Sequence, residues 1–514
     1  MPILRNGSKF NPPMNAYDSL LQRSKEIALY NSTAAVLGWD QETYAPHQAS
    51  AWRAEQLGQL AGVAHRLGTS QDVGDWIKAC EDNPPPCVNE EDCALRAANV
   101  REWRRDYDRA TKLSSRLVED LAKTTSLSRE AWAQARKESN FAAFAPWLEK
   151  VLALTREQAE GWGYTTCAYD ALLEGYEPGA RVADLRPVFA DLQSQLTPLL
   201  PRLREITGVA DPKRLLGAEY PVAGQQVLNR EVAEALGFDF GAGRIDTTTH
   251  PFCTELGPRD CRLTTRYNTG DFTASLCGVI HEAGHGLYTQ GLLPEYFGTP
   301  IGTYVSLGIH ESQSRLWENQ VGRSRAFWHN WYPRARQEFP SLNDLPMEEF
   351  WLLVNRVEPS HIRVDADEAT YNLHIILRFE IEQKLVSGEL AVADLPAAWN
   401  ARFEELFHIP VPDDRRGCLQ DTHWSLGLIG YFPTYTLGTL NAAQLFAHAL
   451  KQVPGLDGDL DAGKYARLLE WLREKIHRHG RRYTPNELIE QATGESLKAT
   501  YFMDYLKAKY GLET

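Results

Sequence analysis

Apolar side chains recur at three- and four-residue spacing through most of this chain, and this restricts it to a mainly helical fold. The pattern is clear at 17–29, 95–103 and 147–154. Such spacing places apolar side chains on one face of an α-helix. Between 117 and 162 the helical signal is almost continuous, with a break expected at 141–146. The sequence therefore predicts a body built of amphipathic helices.

Strand-like sequence is scarce. The best candidates are the short, Thr-rich segments 244–249 and 262–267, directly before an apolar helical segment at 274–288. Residues such as Thr, Val and Ile fit a pleated, half-buried surface. We therefore predict a mostly α fold with a small antiparallel β-sheet next to the helix at 274–288.

The length of the chain bears on its domain organisation. With 514 residues, it exceeds the roughly 250–300 residues at which a single hydrophobic core stops growing. We expect a large helical body with a deep cleft. It is either one domain over 1–514 or two helical lobes around the cleft, at about 1–210 and 211–514.

Charge and cysteine content narrow the class of protein. The 54 basic and 68 acidic residues give a net charge of −14, which argues against nucleic-acid or anionic-membrane partners, because both require basic surface. The first residues lack the apolar core of a signal peptide, and no apolar stretch approaches the ~20 residues that span a bilayer. The eight cysteines are scattered without a Cys-x-x-Cys pair, so we expect reduced thiols and a cytoplasmic location.

The strongest local motif is His281-Glu282-Ala283-Gly284-His285, inside the apolar helical segment. Four-residue spacing projects both imidazoles from one face, one turn apart, where they can hold one metal ion. Glu282 then lies where it can take a proton from a water on the metal. Gly284 and Gly286 cost helix propensity, so we expect them to admit close approach of other backbone or of substrate. The alternative is two core histidines that bond to backbone.

A catalytic zinc site needs a third protein ligand and keeps its fourth position for water. Glu311 lies 26 residues after His285, which leaves room for a loop near 294–300 and a second, antiparallel helix. Its carboxylate would then face the two imidazoles. Taken alone, Glu311 is better explained as a surface carboxylate, and only its place opposite the motif favours the ligand role.

Separated motifs along the chain resemble those of the carboxypeptidase Taq-type metallocarboxypeptidases. In chain order they are Asp106-Tyr107-Asp108-Arg109-Ala110-Thr111-Lys112, His250-Pro251-Phe252, Asp260-Cys261-Arg262-Leu263-Thr264, the His-Glu motif, His310-Glu311-Ser312-Gln313, Ile362-Arg363-Val364-Asp365-Ala366-Asp367-Glu368, Gln420-Asp421-Thr422-His423-Trp424, Gly430-Tyr431-Phe432-Pro433-Thr434-Tyr435-Thr436-Leu437-Gly438 and Tyr505-Leu506-Lys507-Ala508-Lys509-Tyr510-Gly511. The resemblance covers nearly the whole chain. One departure is the loop at 83–93, which is rich in Pro, Cys and acidic residues.

The resemblance implies a helical, clefted metallopeptidase that removes single residues from peptide C-termini, with broad specificity and poor activity next to proline. Proteins of this kind use zinc or cobalt and are usually homodimers, so the implied cofactor is one divalent ion per chain, Zn²⁺ or alternatively Co²⁺. The implied substrates are peptides with a free C-terminus.

Motif matching also implies roles for individual residues. His281, His285 and Glu311 become metal ligands, and Glu282 becomes the general base. Arg363 and Tyr435 become contacts for the terminal carboxylate and the reacting carbonyl. Looser substrate-binding assignments fall on His250, Arg262, Tyr431 and His423.

The physical argument leaves the carboxylate anchor open between two arginines. A planar guanidinium making paired hydrogen bonds holds a carboxylate best. Arg363 is followed by three acidic residues and is alternatively neutralised in a structural ion-pair network. Arg262 lies on a strand-like segment beside the metal helix and is its main competitor. For the oxyanion, Tyr435 is the first choice as donor and a protonated His423 the second.

The expected mechanism begins with polarisation of the last peptide carbonyl by the metal. Glu282 deprotonates the bound water, hydroxide attacks, and Glu282 returns the proton to the departing amino acid. The same chemistry serves an oligopeptidase or a dipeptidyl carboxypeptidase, which differ only in how the substrate is anchored. A non-catalytic scaffold derived from a peptidase is a remote alternative.

Overall fold

Long helices form the first third of the chain, as the apolar spacing predicts. The computed structural model describes residues 15–512, and in this part of the chain the mostly α fold is confirmed. The first six helices are α1 (Ala16–Thr43), α2 (Ser50–Gly68), α3 (Gln71–Asp82), α4 (Glu90–Thr111), α5 (Ser115–Glu138) and α6 (Phe141–Trp162).

The predicted break at 141–146 lies two residues too late. Helix α5 ends at Ser139, which has a left-handed backbone (φ 52°), and the Asn140 side chain caps α6 by accepting a hydrogen bond from Ala143 N–H. Helix α6 then continues through Pro146. The left-handed residue ends a helix because it turns the chain out of the helical path, whereas Pro removes only one hydrogen bond.

The segment between α6 and the sheet is helical too. Its helices are α7 (Ala168–Leu173), α8 (Val182–Thr207), α9 (Lys213–Leu216) and α10 (Val222–Leu236). The region at 207–226, which has little helical periodicity, contains only the short α9 and the start of α10.

A three-stranded sheet lies next to the following helix, with strand order β1-β3-β2. Strands β1 (Gly243–Thr247) and β3 (Asp260–Thr265) correspond to the two predicted segments, and β2 (Cys253–Gly257) adds a third. β2 pairs with β3 antiparallel, whereas the two predicted strands, β1 and β3, run parallel to each other. The sheet is therefore mixed, with β2 at one edge.

Helices build the remainder of the chain. They are α11 (Phe272–Gly291), α12 (Leu307–Arg315), α13 (Arg325–Glu338), α14 (Met347–Val354), α15 (Tyr371–Ser387), α16 (Leu395–Phe407), α17 (Pro433–Gln452), α18 (Leu456–Asp461), α19 (Ala466–Lys475), α20 (Pro485–Thr493) and α21 (Thr500–Lys509). The segment Leu316–Gly322 continues α12 as a π-helix. π-helical turns are rare and are frequent at functional sites.

The chain divides into two compact units. Among the described residues, one comprises 15–111 and 293–303, and the other 112–292 and 304–512. The first has a small apolar cluster centred on Ile77 and Leu20. The second contains the large core, with Trp317, Trp328 and Trp351 fully buried. A lobe boundary near residue 210 stays a prediction.

No helix in the described part of the chain is long and apolar enough to cross a membrane.

The expectation that all eight cysteines are reduced thiols is wrong for two of them. Cys87 and Cys93 form a disulfide, with their Cα atoms 5.2 Å apart. The Pro-rich loop turns directly into the first turn of α4, and this brings the two residues together. The other six cysteines are free.

Candidate metal centre

Helix α11 presents two histidines one turn apart, as predicted. The Asp271 side chain caps the helix by accepting hydrogen bonds from the N–H groups of Thr273 and Ala274. A side-chain cap satisfies backbone donors that have no partner inside the helix. The rings of His281 and His285 have centroids 5.0 Å apart. Both imidazoles therefore point to one side of a well-defined helix.

Close helix packing explains the two glycines beside the motif. A Cβ on Gly284 would lie 2.6 Å from the Gln313 carbonyl oxygen and from the Ser314 Cα. Helix α12 therefore contacts the backbone of α11 at this point, as the sequence predicts. A Cβ on Gly286 would lie 2.7 Å from the Phe238 ring, so this second glycine makes room for a side chain rather than for backbone.

Glu311 on α12 lies opposite the two histidines. Its Oε2 is 3.6 Å from His281 Nε2 and 3.5 Å from His285 Nε2. The three ligand atoms lie within 4.8 Å of one another. At 3.5–3.6 Å, the carboxylate oxygen and either imidazole nitrogen are at a separation that lets one ion contact both at about 2 Å.

The hydrogen bonds of the two imidazoles leave their Nε2 atoms for a metal. His281 Nδ1 lies 2.9 Å from Glu318 Oε2, and His285 Nδ1 lies 3.0 Å from the His310 carbonyl oxygen. A histidine that donates its Nδ1–H to an oxygen exposes its Nε2 lone pair. Two such nitrogens and one carboxylate oxygen fit a divalent metal and leave a position open for catalysis.

Buried charges fix the third ligand. Arg315 Nε donates to Glu311 Oε1 at 2.7 Å, and Ser314 Oγ donates to Oε2 at 3.0 Å. Burial raises the pKa of the Glu311 carboxyl, but Arg315 and the two histidines outweigh it and hold that pKa well below its usual range. Glu311 is therefore an anion ready to bind a cation.

Glu318 supports the first histidine from the π-helical segment. Besides its contact with His281, its Oε1 accepts a hydrogen bond from Arg323 Nη2 at 3.0 Å. Burial raises the pKa of Glu318, but the histidine and the arginines lower it far below its usual range. Sequence reasoning missed this residue. Glu318 follows Glu311 by seven residues and Arg315 by three. This spacing indicates that the three side chains lie on one face of a helix.

Glu282 is buried beside the histidines and lines the same cavity. Burial raises the pKa of its carboxyl, and this rise is partly opposed by His281 and His285. A raised pKa brings a carboxylate nearer to the working pH of a general base.

A cavity of about 890 Å³ contains the metal-ligand set. Of the predicted site residues, it is lined by His281, Glu282, His285, Glu311, Arg363, Tyr431 and Tyr435. These seven residues come from segments up to 154 positions apart in the chain, counted from 281 to 435.

Arg363 enters the cavity within a network of two arginines and one aspartate. Its Nε and Nη2 donate to Asp421 Oδ1 at 3.1 and 2.8 Å, and its Nη1 lies 2.8 Å from the Tyr371 hydroxyl. Arg378 Nε donates to the other oxygen of Asp421 at 2.8 Å. The network therefore keeps one net positive charge. Arg363 therefore lies in an ion-pair network, but its acid is Asp421 and not one of the three acids that follow it, and the network is not neutral.

Tyr435 lies between the arginine and His423. Its ring is 4.9 Å from the Arg363 guanidinium, and its hydroxyl is 3.4 Å from His423 Nε2. Burial raises the pKa of Tyr435 well above its usual value, so the hydroxyl keeps its proton. Burial also lowers the pKa of His423 to about 4, although Asp421 opposes this. A protonated His423 is therefore not favoured near neutral pH.

Three of the predicted residues are not among those that line the cavity: His423, which lies behind Tyr435, and also Arg262 and His250. Arg262 on β3 pairs with Asp260 at 2.9 Å. His250 is exposed in the loop before β2. Among the described residues that line the cavity, neither is present, although the neighbours of His250, Pro251 and Phe252, are.

Comparison with known proteins gives consistent matches over nearly the whole chain. The family described as carboxypeptidase Taq (M32) metallopeptidase matches residues 19–510. Thermostable carboxypeptidase 1 of Thermus thermophilus is 43% identical over 507 residues, which cover 97% of this chain and 99% of that protein. Carboxypeptidase 1 of Bacillus subtilis is 37% identical, with 95% and 96% covered.

Solved structures agree with this result. The crystal structure of an M32 carboxypeptidase from Deinococcus radiodurans R1 superposes with a TM-score of 0.92 at 40% identity. The match covers 96% of this chain and 99% of that one.

Proposed function

Because the chain belongs to the carboxypeptidase Taq (M32) family of metallopeptidases and is a metallocarboxypeptidase, we propose that it releases single amino acids from peptide C-termini with broad side-chain specificity. One observation carries this proposal: the cationic Arg363 network and the His281–His285–Glu311 set line the same cavity. A carboxylate anchor beside a metal centre is what distinguishes an exopeptidase acting at the C-terminus from an enzyme that cuts internally.

The family implies a divalent metal, and we assign it to His281, His285 and Glu311. Zn²⁺ suits two imidazoles and a carboxylate, and Co²⁺ binds similar ligands. When bound, such an ion supplies Lewis acidity, which polarises the last peptide carbonyl and lowers the pKa of water. Metal analysis of the purified protein tests the assignment, with Glu311→Gln as the variant expected to lose the ion.

Glu282 is assigned the role of general base. Its buried carboxylate takes a proton from the attacking water and passes it to the amine nitrogen of the departing residue. The burial that raises its pKa supports this role, because it makes the carboxylate a stronger base.

Arg363 is assigned as the anchor of the terminal carboxylate. Three of its five N–H groups face Asp421 and Tyr371, which leaves one on each terminal nitrogen for a substrate. Two parallel N–H donors match the geometry of a carboxylate. The exclusion of Arg262 from the cavity lining supports this choice.

Tyr435 is assigned as the donor to the developing oxyanion. It keeps its proton because of burial, and a neutral hydroxyl aimed at developing negative charge stabilises the transition state. Tyr431, whose ring lies 5.4 Å from that of Tyr435, shapes the same wall of the cavity.

Mass spectrometry of peptide products tests the function as a whole. The metal-reconstituted protein is given one peptide in two forms, with a free and with an amidated C-terminus. Stepwise loss of single residues from the free form alone is expected. Internal fragments from both forms would instead support an oligopeptidase, and loss of residue pairs would support a dipeptidyl carboxypeptidase.

A homodimer and a cytoplasmic location complete the proposal. The first rests on resemblance to the family and the second on sequence composition. Light scattering of the eluted protein measures the mass of the assembly directly, against 58.0 kDa for one chain, and cell fractionation tests the location.

A further inference from the structure

Glu255 differs from the other charged side chains that line the catalytic cavity. Within residues 15–512, no group forms a hydrogen bond or an ion pair with its carboxylate. Of the six other acidic and basic side chains in the lining, five are held in ion pairs, and the sixth is Glu282 beside the two histidines. Glu255 therefore has no structural role that its contacts explain.

The position of Glu255 is set by the edge strand β2. It pairs with Cys261 on β3, and Cys253 pairs with Leu263. Paired residues share a face of the sheet, and so do residues two apart in a strand. Since Cys261 and Leu263 are buried, Glu255 projects from the sheet face that is turned toward the core and α11.

Glu255 and Arg363 enter the cavity from different elements and have different neighbours. Glu255 is an electrostatic neighbour of Tyr304. The ring centroid of Tyr304 lies 4.8 Å from that of His310, and the ring centroid of His310 lies 4.4 Å from that of His285. Arg363 is instead linked to Glu311 through Tyr371, over whose ring Arg315 lies at 4.4 Å. The cavity therefore contains the cationic Arg363 network next to Tyr371 and the Glu255 carboxylate next to Tyr304, on which Arg481 also acts.

A half-buried carboxylate without a partner is costly to ionise. Burial alone raises the pKa of Glu255 to about 7. Such a group gains most from a cation that enters the site, because the cation offsets the lost hydration. A peptide whose terminal carboxylate is bound by Arg363 and whose scissile carbonyl is at the proposed metal ligands would place its preceding residues elsewhere in the same cavity, which Glu255 also lines.

We propose that Glu255 is a specificity residue that binds a cationic group on the substrate, N-terminal to the scissile bond. The chemistry is that of an ammonium or guanidinium group. It is supplied either by a Lys or Arg side chain at the residue before the scissile bond, or by the free α-amino group of a short peptide. The inference rests on the proposed function, because it takes the substrate to lie between Arg363 and β2.

Tripeptides with matched neutral analogues test the proposal. The substrates are acetyl-Ala-Xaa-Leu with Xaa as lysine or norleucine, and Ala-norleucine-Leu with a free N-terminus. Leucine release is measured at pH 8 with the metal-reconstituted enzyme and with Glu255→Gln. Glu234→Gln, an exposed change of the same charge on α10, serves as the control.

The wild-type enzyme is expected to favour a cationic substrate about tenfold in kcat/KM, in the range measured for a partly buried ion pair. Preference for lysine over norleucine assigns the side-chain source, and preference for the free over the acetylated N-terminus assigns the α-amino source. Glu255→Gln is expected to abolish the preference and to keep the norleucine rate within about threefold. In the Glu234→Gln control the preference is expected to persist.

Three results decide against the proposal. They are a preference that survives in Glu255→Gln, an equal fall for both substrates of a pair, and the absence of any preference in the wild type. If Glu255→Gln does not fold, the variant Glu255→Lys is measured instead. It is expected to prefer acetyl-Ala-Xaa-Leu with glutamate as Xaa, because the charge at position 255 is reversed. No leucine release from any substrate would overturn the carboxypeptidase function itself, which separates that failure from a failure of the role of Glu255.

Discussion

The two candidate anchors for the substrate carboxylate differ in what surrounds them. Arg363 shares Asp421 with Arg378 and keeps a net positive charge in the cavity, whereas Arg262 is paired with Asp260 outside the lining. A cation that is fully neutralised elsewhere has little to offer a substrate. This difference gives a direct test at the scale of one residue.

Arg363→Lys is expected to lower kcat/KM about a hundredfold for peptides with a free C-terminus, because an ammonium cannot make the paired hydrogen bonds of a guanidinium. Most of the loss should appear in KM. The matched change Arg262→Lys is expected to leave both constants within about twofold. Steady-state kinetics on one free-ended peptide measures both, and a reversed order of effects would move the anchor to Arg262.

Glu282→Gln is expected to lower kcat by about 10²–10⁴, the usual contribution of a positioned general base. The amide has nearly the same shape, so metal content and KM should remain close to those of the wild type. Rapid kinetics and metal analysis on the same preparation separate the two effects. Retention of full turnover with metal bound would remove Glu282 from the mechanism.

The ionisation of Glu255 predicts a pH dependence of selectivity. Its pKa is raised to about 7, so the carboxyl is mostly neutral below that pH and becomes an anion above it. Two neighbouring groups stay neutral throughout this range. The pKa of the Cys253 thiol is raised well above its usual value by its hydrogen bond with Cys261 and by burial. The pKa of the Tyr304 phenol is raised by burial, although Arg481 opposes this rise.

The preference for a lysine over a norleucine substrate is therefore expected to rise as the pH increases from 6 to 8. The ratio of the two kcat/KM values is measured at each pH, because ionisations that affect both substrates equally cancel in the ratio. In Glu255→Gln the ratio should be flat. A wild-type ratio that does not change with pH would contradict an anionic Glu255.

At the scale of elements, the N-terminus of α12 is held by one buried carboxylate. Glu177 accepts hydrogen bonds from Ser306 Oγ at 3.0 Å and from the Gly308 N–H at 2.9 Å. Gly308 is required there, because a Cβ would lie 2.6 Å from Glu177 Oε2. Since α12 carries Glu311, this contact fixes the third metal ligand from a distance.

Glu177→Ala is expected to weaken metal binding about tenfold and to lower the free energy of unfolding by about 1–3 kcal/mol, the cost of leaving buried donors without a partner. Glu174→Ala, which removes the partner of Arg181 in the same segment, is the control. Metal titration and chemical denaturation measure the two effects. Loss of stability without loss of metal affinity would show that α12 is positioned by other contacts.

Sequence predicts an element well when its pattern lies within one short segment, and poorly when the element depends on distant parts of the chain. Helix α11 was predicted because its apolar pattern and its histidine spacing lie within one segment. Strand β2 was missed because it is short, lies at an edge and lacks alternating polarity. The parallel pairing of β1 with β3 was missed as well, since strand direction depends on how the whole connection folds.

The same distinction holds for the site within the whole molecule. Helical geometry predicts that His281 and His285 lie on one face of a helix. The prediction for Glu311 needs only that helix, a loop and a second helix. The contact of Arg363 with Asp421 joins residues 58 positions apart. No spacing rule predicts such a pair, because packing of the complete core brings them together. The neighbours of each predicted substrate-binding side chain therefore do not follow from sequence spacing.

Removal of the metal tests whether the centre holds the fold together or only serves catalysis. The three proposed ligands lie on two helices, α11 and α12, that pack in the large apolar core of their unit. Most of the stability of that unit therefore comes from burial of apolar surface, unlike in small domains that fold only around a metal.

Chelation is therefore expected to abolish activity while the far-ultraviolet circular dichroism remains that of a helical protein. The melting temperature should still fall by several degrees, because an ion present at a thousand times its Kd stabilises the native state by about 4 kcal/mol. Calorimetry with and without chelator measures this shift, and restored activity on return of Zn²⁺ serves as the control. Loss of helical signal on chelation would instead mean that α11 and α12 depend on the ion for their packing, and the apolar core would then be insufficient on its own.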